Sequence, residues 1–468
     1  MAEFVTSHAA LGADFFVPVA PAKVPQTIIR YRNQSAAKRI GLDHLTSEDW
    51  QRHFGHFVPF EGSFEKPLAL AYHGHQFGHY NPDIGDGRGF LFAQLKEAGT
   101  ERLLDLGTKG SGQTPFSRAG DGCLTLKGAV REILATELLT SLGVSTSQTL
   151  SVIETGLSIQ RHDEPSPTRS AVLVRLSHSH IRIGSFQRLF FLKNPKAKDT
   201  LLRYVVSHYY PQRDPEAPLQ ELAVTFLADL AERIAKMTGQ WMAAGFVHGV
   251  LNTDNFNITG ESFDYGPWRF LPHLDPNFTA AYFDHQGRYA YGRQPDSALW
   301  ALCRLADCFV EEVGKEPLEE ALHPFFAVME KQMVKSLMRR LGIVHDNEVA
   351  ITNALLQAAR QTKCPFDSMF LDLYGGARPD KQIYLNDAFK PYFDSLEAPG
   401  LKRCLERQPS CLAKAEAASL VIDEVENLWA PIAEQDDWSL LTKKIDAIRT
   451  YGEMLACYDD TQALISPD

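Results

Sequence analysis

Acidic and amide side chains gather in the segment 246–266, which reads FVHGVLNTDNFNITGESFDYG. Asp254 and Asn255 are adjacent, and Asp264 follows in an Asp-Tyr-Gly triplet. Oxygen ligands of this kind hold Mg²⁺ against nucleotide phosphates, and a neighbouring carboxylate can take the proton of an attacking hydroxyl. The segment therefore predicts metal-assisted phosphate chemistry, and a plain series of Asn- and Asp-rich turns is the alternative.

The order of these residues is similar to that of a protein-kinase catalytic loop, HRDxxxxN, followed by its metal-binding D-F-G. With His248 at the histidine position and Asn255 at the asparagine position, the kinase aspartate falls on Val250. Because valine cannot accept a proton, the ordinary kinase mechanism is not expected. Asp254 is then the candidate base, and Asn255 and Asp264 are the candidate metal ligands.

Two glycine-rich segments upstream could bring main-chain amides and cations close to phosphates. The first is GDGR at 85–88, for which a surface hairpin turn is the alternative. The second is LGTKGSGQTPFSRAGD at 106–121, which surrounds Lys109 with glycines. This lysine is misplaced for a Walker A motif, but a lysine at a strand end beside such a turn can still hold phosphates. An exposed flexible loop is the alternative for the second segment.

Three further charged residues could complete such a site. Glu132 follows Lys109 by 23 residues on a predicted helix, and a strand lysine paired with a helix glutamate is how kinases orient phosphates. Arg175 and Arg182 flank the sequence SHSHI and could clamp phosphate oxygens. A solvated helix position is the alternative for Glu132, and surface ion pairs are the alternative for the two arginines.

The motif YHGHQFGH at 72–79 places three histidines close together. His73 and His75 would share one face of a strand, as two zinc ligands could. No acidic or cysteine ligand lies at a suitable spacing. A packed or hydrogen-bonded structural role is therefore favoured for His73, His75 and His79.

The elements that must position these residues follow from the apolar pattern. Short apolar runs between glycines predict strands at 90–95, 102–106, 152–160 and 171–176. Helical spacing is expected over 129–142, with Gly143 as its C′ glycine, and over 219–244, with Gly245 at its end. Residues 1 to about 60 are interpreted as an extended lead interrupted by prolines. Strands followed by helices predict an α+β protein.

Composition limits the partners and the compartment. The chain has 468 residues, seven cysteines and a formal net charge of −11, which argues against nucleic acid or an anionic membrane as the main partner. The cysteines form no CxxC pair and are odd in number, which favours reduced thiols. The chain shows neither a signal-peptide pattern nor a run of about 18 apolar residues, so a cytoplasmic location is expected.

Together, these motifs resemble those of the selenoprotein O family (SelO/YdiU), kinase-like proteins once classed as pseudokinases. The matching text runs in family order over about 70–295: YHGHQFG, IGDGR, TKGSGQTPFSRAGDG, VRE, HIRIGSF, HGVLNTDNFNI, DYGPW and DHQGRY. The resemblance implies a protein-kinase-like two-lobed α+β fold. Residues 1–190 would form an N-terminal extension and the strand-rich, nucleotide-binding lobe, and residues 191–468 would form the helical lobe with the catalytic and metal-binding loops.

The same resemblance implies transfer of AMP from ATP to Ser, Thr or Tyr hydroxyls of proteins, with release of pyrophosphate and with ATP in a flipped orientation. Protein substrates would be the partners of this enzyme, which we expect to be a monomer. Asp254 would accept the proton, Asn255 and Asp264 would bind Mg²⁺ or Mn²⁺, and Glu132 would pair with Lys109. The residues expected to contact the nucleotide are Gly85, Gly87, Arg88, Lys109, Asp121, Gly122, Arg175, Arg182 and Asp264.

The sequence departs from the family pattern near these motifs, and Gln148 replaces a customary arginine in the segment after the predicted helix. Cys123 stands where the family usually has arginine, and Ala280 lies near the place of a cysteine used in redox regulation. Regulation by an intramolecular disulfide is therefore not expected. Two other functions are kept as alternatives. One is a protein or small-molecule kinase, which Val250 disfavours, and the other is a non-catalytic scaffold, which the retained charged residues disfavour.

Overall fold

The computed structural model describes residues 2–404 and 416–465. The N-terminal half is rich in strands and the C-terminal half in helices, which confirms the predicted mixture of the two. The strands of the described residues are β1 (Glu3–Val5), β2 (Phe16–Pro18), β3 (Ile28–Arg32), β4 (Leu68–Leu70), β5 (Gly74–Gln76), β6 (His79–Asn81), β7 (Leu91–Lys96), β8 (Leu103–Lys109), β9 (Leu124–Thr125), β10 (Gln148–Ile159), β11 (Thr168–Ser177), β12 (Phe246–Val247), β13 (Arg269–Phe270), β14 (Ile343–Val344) and β15 (Lys402–Arg403).

One large antiparallel sheet dominates the N-terminal half. Its hydrogen-bonded order is β2-β4-β7-β8-β11-β10-β3, and β1 and β9 add to β7 and β11. The four strands predicted from apolar runs are confirmed as β7, β8, β10 and β11, which are central members of this sheet. β8 continues beyond the predicted run as far as Lys109, so the predicted phosphate-binding lysine is the last residue of a strand.

The helices surround the sheet and make up most of the C-terminal half. In the described residues they are α1 (Gln34–Arg39), α2 (Ser47–Phe54), α3 (Leu126–Ser141), α4 (Ile183–Phe191), α5 (Pro195–Tyr209), α6 (Leu219–Ala244), α7 (Gln294–Ala306), α8 (Val310–Val313), α9 (Lys315–Leu322), α10 (Phe325–Leu341), α11 (Glu348–Thr362), α12 (Phe366–Asp372), α13 (Lys390–Ser395), α14 (Ile422–Gln435) and α15 (Ser439–Ile465). Among these helices, none combines the length and the apolar character needed to span a membrane.

The expectation of an extended lead is wrong for residues 34–54, which form α1 and α2. Asn33 and Thr46 cap these helices, and Thr46 forms a reciprocal capping box with Asp49. Trp50 of α2 is fully buried and packs in one cluster with Phe92 of the sheet. The two helices therefore cover one face of the sheet.

The helix predicted over 219–244 is confirmed with the same bounds as α6. Gly245 ends it in the left-handed conformation, at φ 68°, and a Cβ there would lie 2.6 Å from the Phe366 ring. The chain then enters β12, which pairs with β13. This two-stranded ribbon closes the base of the loop 248–268, which carries the predicted catalytic and metal-binding residues.

Helix α3 is held between the sheet and the last helix of the described chain. It begins three residues before the predicted run, because Thr125 caps it, and Gly143 follows its end at φ 80° as predicted. Arg449 of α15 donates to both carboxylate oxygens of Glu137 on α3, at 2.9 and 2.7 Å. The orientation of α3, and of Glu132 on it, therefore depends on contacts from distant parts of the chain.

Candidate active site

Ten of the twelve predicted site residues line one cavity of about 410 Å³, a size typical of small-molecule sites. Its walls come from the segment after β6, the end of β8, the loop before α3, β11 and the loop 248–268. The predicted residues that line it are Gly85, Gly87, Arg88, Lys109, Asp121, Gly122, Arg175, Arg182, Asp254 and Asp264.

Lys109, Glu132 and Arg175 form a buried charged cluster beneath this cavity. Lys109 Nζ donates to Glu132 Oε2 at 2.7 Å, and Arg175 Nε and Nη2 donate to Glu132 Oε1 at 2.9 and 2.7 Å. Glu132 is fully buried. Burial alone would raise the pKa of Glu132, but Arg175 and Lys109 hold it below its usual value. The solvated-helix alternative for Glu132 is therefore wrong.

Asp264 lies at the centre of the site in the left-handed conformation, with φ 63°. Its Oδ1 is 3.3 Å from both Lys109 Nζ and Arg175 Nη2, and its Oδ2 accepts from Arg182 Nη1 at 3.0 Å. Burial opposes ionisation, yet these cations hold the pKa of Asp264 well below its usual range. Asp264 is thus an anion at physiological pH, which is the state in which a carboxylate can bind a metal ion.

Arg182 connects the two acidic residues of the loop. Its Nη1 also donates to the main-chain oxygen of Asp254 at 2.6 Å, and its guanidinium lies 4.6 Å from the Tyr72 ring centroid and 4.7 Å from that of Phe263. These contacts fix the side chain while its charge faces the cavity. The surface-ion-pair alternative is wrong for Arg175 and Arg182, because both are buried.

Asp254 differs from Asp264 in its surroundings. Its Oδ1 is buried and has no hydrogen-bond partner among the described residues, and burial raises the pKa of Asp254 to about 6 although Arg182 opposes the shift. A carboxylate that is short of hydrogen bonds binds a proton more readily than a solvated one. Asp254 therefore has the environment of a general base.

Asn255 forms a hydrogen bond within the kinase-like loop. Its Nδ2 donates to the main-chain oxygen of Val250 at 2.9 Å, which leaves the amide oxygen as its free ligand atom. Among the described residues, neither Val250 nor Asn255 lines the cavity. Asn255 and Asp264 offer hard oxygen donors of the type that suits Mg²⁺ or Mn²⁺. Among the described residues, no group of three or more His, Cys, Asp or Glu side chains forms a metal site, so phosphates and water would have to complete the coordination.

The predicted glycines serve the packing of two loops. A Cβ on Gly85 would lie 2.5 Å from the Phe116 ring, and one on Gly122, where φ is 72°, would lie 2.2 Å from the main chain of Gly112. The segment 85–88 is not a hairpin turn, since β6 and β7 on either side of it do not pair with each other. The glycines thus let the loops close into a cavity wall, and their contact with phosphate stays a prediction.

Two contributors to the site were not identified from the sequence. Arg161, in the turn between β10 and β11, lines the cavity, and its Nη1 and Nη2 donate to the Asp121 carboxylate at 2.8 and 3.0 Å. These bonds hold the pKa of Asp121 below its usual range. Gly74 is the other contributor, since its Cβ position lies only 3.0 Å from Asp254 Oδ1. Arg161 has no local sequence signal, and Gly74 lies in the motif YHGHQFGH, whose spacing does not indicate its contact with Asp254.

The histidine motif forms the β5–β6 hairpin, which contacts the loop 248–268. The His75 N–H donates to Thr253 Oγ1 at 2.7 Å, and its Nδ1 pairs with Gln187 Nε2 at 2.9 Å. His73 Nδ1 pairs with Tyr80 Oη at 2.8 Å, and His79 is exposed. His73 lies just before β5 and not on it, so the expectation that His73 and His75 share a strand face is wrong.

Comparison with known proteins gives one consistent result. A family model described as "Protein adenylyltransferase SelO" matches residues 1–449. The chain is 42% identical over 454 residues to "Protein nucleotidyltransferase YdiU" of Trichodesmium erythraeum, covering 92% of this chain and 94% of the relative. The protein of the same name from Synechocystis sp. is 42% identical over 453 residues, with the same coverage. That from Pseudomonas putida (strain GB-1) is 36% identical over 415 residues, covering 87% of this chain and 83% of the relative.

Proposed function

The chain belongs to the SelO family of protein adenylyltransferases, and from this premise we propose that it transfers AMP from ATP to Ser, Thr or Tyr hydroxyls of other proteins. The carrying observation is the placement of Asp254, an under-bonded buried carboxylate, beside the cations that surround Asp264. The first is suited to remove a proton and the second group to hold phosphates.

We further propose that the fold is protein-kinase-like and two-lobed, with residues 1–190 as the nucleotide-binding lobe and residues 191–468 as the helical lobe. A lysine at the end of a sheet strand paired with a glutamate on the following helix supports this assignment, as does the loop that carries Asn255 and Asp264 after α6. Kinases use the same parts to orient ATP.

In the proposed reaction, the acceptor oxygen attacks the α-phosphorus of ATP. The bond between the α-phosphorus and the oxygen that bridges it to the β-phosphate breaks, and pyrophosphate leaves. Asp254 takes the proton of the attacking hydroxyl. Arg88, Lys109 and Arg182 face the cavity and would neutralise the charge that develops on the phosphate oxygens.

Asn255 and Asp264 are the residues that would hold Mg²⁺ or Mn²⁺. When bound, the metal ion would neutralise and orient phosphate oxygens. The long contacts of Lys109 and Arg175 to Asp264, both 3.3 Å, fit this assignment. Triphosphate oxygens would compete for the same cations, and each contact transferred to phosphate would free a lone pair of Asp264 for a ligand bond.

Label transfer tests the proposed function. The purified protein would be incubated with Mg²⁺ or Mn²⁺, with peptides that carry Ser, Thr or Tyr, and with ATP labelled at either the α- or the γ-phosphate. We expect only the α-label on the peptides, and Asp264→Ala should reduce it at least about 100-fold by removing the metal ligand. Asp43→Asn, an exposed carboxylate between α1 and α2, is the control. Transfer of the γ-label would establish a kinase instead.

Asp254→Asn tests the base separately from the phosphate site. The substitution keeps the shape of the side chain but cannot accept the proton, so kcat should fall by roughly 10²–10⁴. ATP should still raise the melting temperature as it does for the original protein. If kcat is retained, another group accepts the proton and the assignment of Asp254 fails.

A further inference from the structure

A second cavity of about 400 Å³ opens beside the nucleotide cavity. Arg88, Lys109 and Arg161 line both cavities, so a ligand in the second would lie directly against bound nucleotide. Its remaining walls come from the start of α3, the turn between β10 and β11, and the segments 265–269 and 280–283. No residue proposed to act in AMP transfer belongs to these remaining walls.

Two arginines in the second cavity lack a carboxylate partner within the described chain. Arg131 Nη2 donates to the main-chain oxygen of Trp268 at 2.8 Å, and its guanidinium lies 4.6 Å from the Trp268 ring centroid. Arg269 Nη1 donates to the main-chain oxygens of Pro267 and Trp268, at 3.2 and 2.9 Å. Each guanidinium is therefore held in place by neutral groups, and no carboxylate of the described residues lies within ion-pair distance of it.

The acidic residues nearby do not neutralise these two arginines. Glu426, the acidic residue nearest to both, accepts from Lys127 at 2.7 Å, and Glu164, which lies near Arg131, forms no ion pair with either arginine among the described residues. Burial, together with the nearby charge of Arg269, lowers the pKa of Arg131 to about 10, although Glu426 and Glu164 oppose the shift. Half-buried cations that repel each other are costly unless an anion joins them. The pair thus has the character of an anion-binding site.

An apolar edge borders the same cavity. Tyr282 is 77% exposed and Phe283 is 41% exposed, and large exposed aromatic side chains commonly anchor protein interfaces. The ring of Phe283 lies 5.8 Å from that of Phe77, and the Phe77 N–H donates to Asn252 Oδ1 at 3.1 Å. The edge is thereby connected to the loop that carries Asp254.

We propose that the second cavity docks an acidic segment of the acceptor protein, with carboxylates on Arg131 and Arg269 and apolar side chains on Tyr282 and Phe283. This rests on the proposed function, because it places the acceptor beside the nucleotide. Charge complementarity carries the choice of occupant. The whole chain has a net charge of −11 and would repel an acidic protein elsewhere, whereas six basic and three acidic side chains line this cavity.

Peptide binding tests the docking site without any AMP transfer. Two fluorescein-labelled peptides, each with one serine flanked either by glutamates or by glutamines, would be titrated with the protein at 0.15 M salt and followed by anisotropy. We expect the glutamate peptide to bind at least about tenfold more tightly, and the double substitution Arg131→Gln and Arg269→Gln to remove this difference. Arg52→Gln, an exposed arginine of α2, should leave it unchanged.

Folding and small anions are controlled in the same assay. The double variant should still be stabilised against thermal unfolding by Mg-ATP. Tyr282→Ser, at a mostly exposed position, should lower the affinity for both peptides without affecting folding. Equal binding of the two peptides, or a preference for glutamate that survives the double substitution, would overturn the proposal. It would also be overturned if the binding of inorganic phosphate or pyrophosphate required Arg131 and Arg269 while the binding of the peptide did not.

Transfer of the α-label to the same peptides distinguishes a failure of the docking site from a failure of the proposed AMP transfer. The double substitution should raise KM for the glutamate peptide about tenfold and leave kcat and KM for ATP unchanged. If the glutamate peptide binds through the two arginines but never receives AMP, the docking site stands and the proposed function fails. If AMP is transferred with no preference for glutamate, the docking site fails and the function stands.

Discussion

Three cations and two carboxylates meet in the buried cluster of the site. Lys109, Arg175 and Arg182 face Glu132 and Asp264 there. The pKa of each of these two carboxylates is held low by the cations, whereas that of Asp254 is raised to about 6 by burial. Neighbouring carboxylates with opposed pKa shifts suit different roles: Glu132 and Asp264 stay anionic, whereas Asp254 can bind a proton.

His8 is a buried titratable residue outside the site, and it predicts a loss of stability in acid. Both ring nitrogens lack hydrogen-bond partners, and burial lowers the pKa of His8 to about 4. The unfolded chain, with a histidine pKa near 6.5, takes up the proton first as the pH falls. Stability is therefore fully present above pH 6.5 and is lost progressively down to pH 4. This residue should account for a loss of roughly 3 kcal/mol.

Urea unfolding of the original protein and of His8→Leu, at pH 7 and at pH 4.5, measures this loss. His8→Leu removes the titrating ring but keeps an apolar side chain beside Phe16 and Tyr204, whose rings lie 6.0 and 5.9 Å from that of His8. The variant should lose about 2–3 kcal/mol less than the original protein between the two pH values. An identical loss in both proteins would show that His8 does not titrate in this range.

At the scale of elements, the sequence predicted most where a single segment decides its own structure. The stripe of α6 and the apolar part of β8, predicted over 102–106, were visible because apolar spacing is local. The helices α1 and α2 were missed although Thr46 and Asp49 carry a capping signal, because the prolines upstream were taken to govern the whole lead.

The assembly of the site was harder to predict because its contacts are long-range. Motif spacing alone could not place Glu132 against both Lys109 and Arg175, which come from β8 and β11. Arg161 is 40 residues from Asp121, so nothing in the local sequence indicates their pairing. The resemblance to a known family supplied the grouping of these residues, and the structure supplied their distances.

A substitution in the β5–β6 hairpin is expected to lower AMP transfer while the protein stays folded. A methyl group at Gly74 would lie 3.0 Å from Asp254 Oδ1, 3.1 Å from Thr253 Oγ1 and 3.2 Å from Ile84 Cδ1. Gly74→Ala should displace the catalytic loop by a few tenths of an ångström, and AMP transfer should fall by roughly 10–100-fold. The free energy of unfolding should change by no more than about 1–3 kcal/mol.

Steady-state AMP transfer and urea unfolding of the same samples separate the two effects. His79→Ala on β6 is the matched control, because His79 is exposed on the same hairpin. It should keep both the activity and the stability of the original protein. A Gly74→Ala protein with full activity would mean that Asp254 is not held by this hairpin.

At the scale of the whole molecule, the site joins the strand-rich and the helical parts of the chain. Arg88, Lys109 and Arg175 come from the sheet region, and Asp254 and Asp264 come from the loop after α6. The contacts Lys109–Asp264 and Arg182–Asp254 already cross between the two parts. A nucleotide that binds in the cavity would add further contacts across the same boundary.

ATP should therefore stabilise both parts of the chain together, as hydrogen exchange can measure. With Mg-ATP at 100 times its Kd, the free energy of opening should rise by up to about 2.7 kcal/mol wherever opening releases the nucleotide. Amides of β7 and β8 and those of residues 252–266 should gain protection in parallel, and Lys109→Ala should weaken both gains because it removes a phosphate contact from one side only. Protection confined to β7 and β8 would mean that the nucleotide does not reach Asp254 and Asp264, and the proposed two-lobed site would fail.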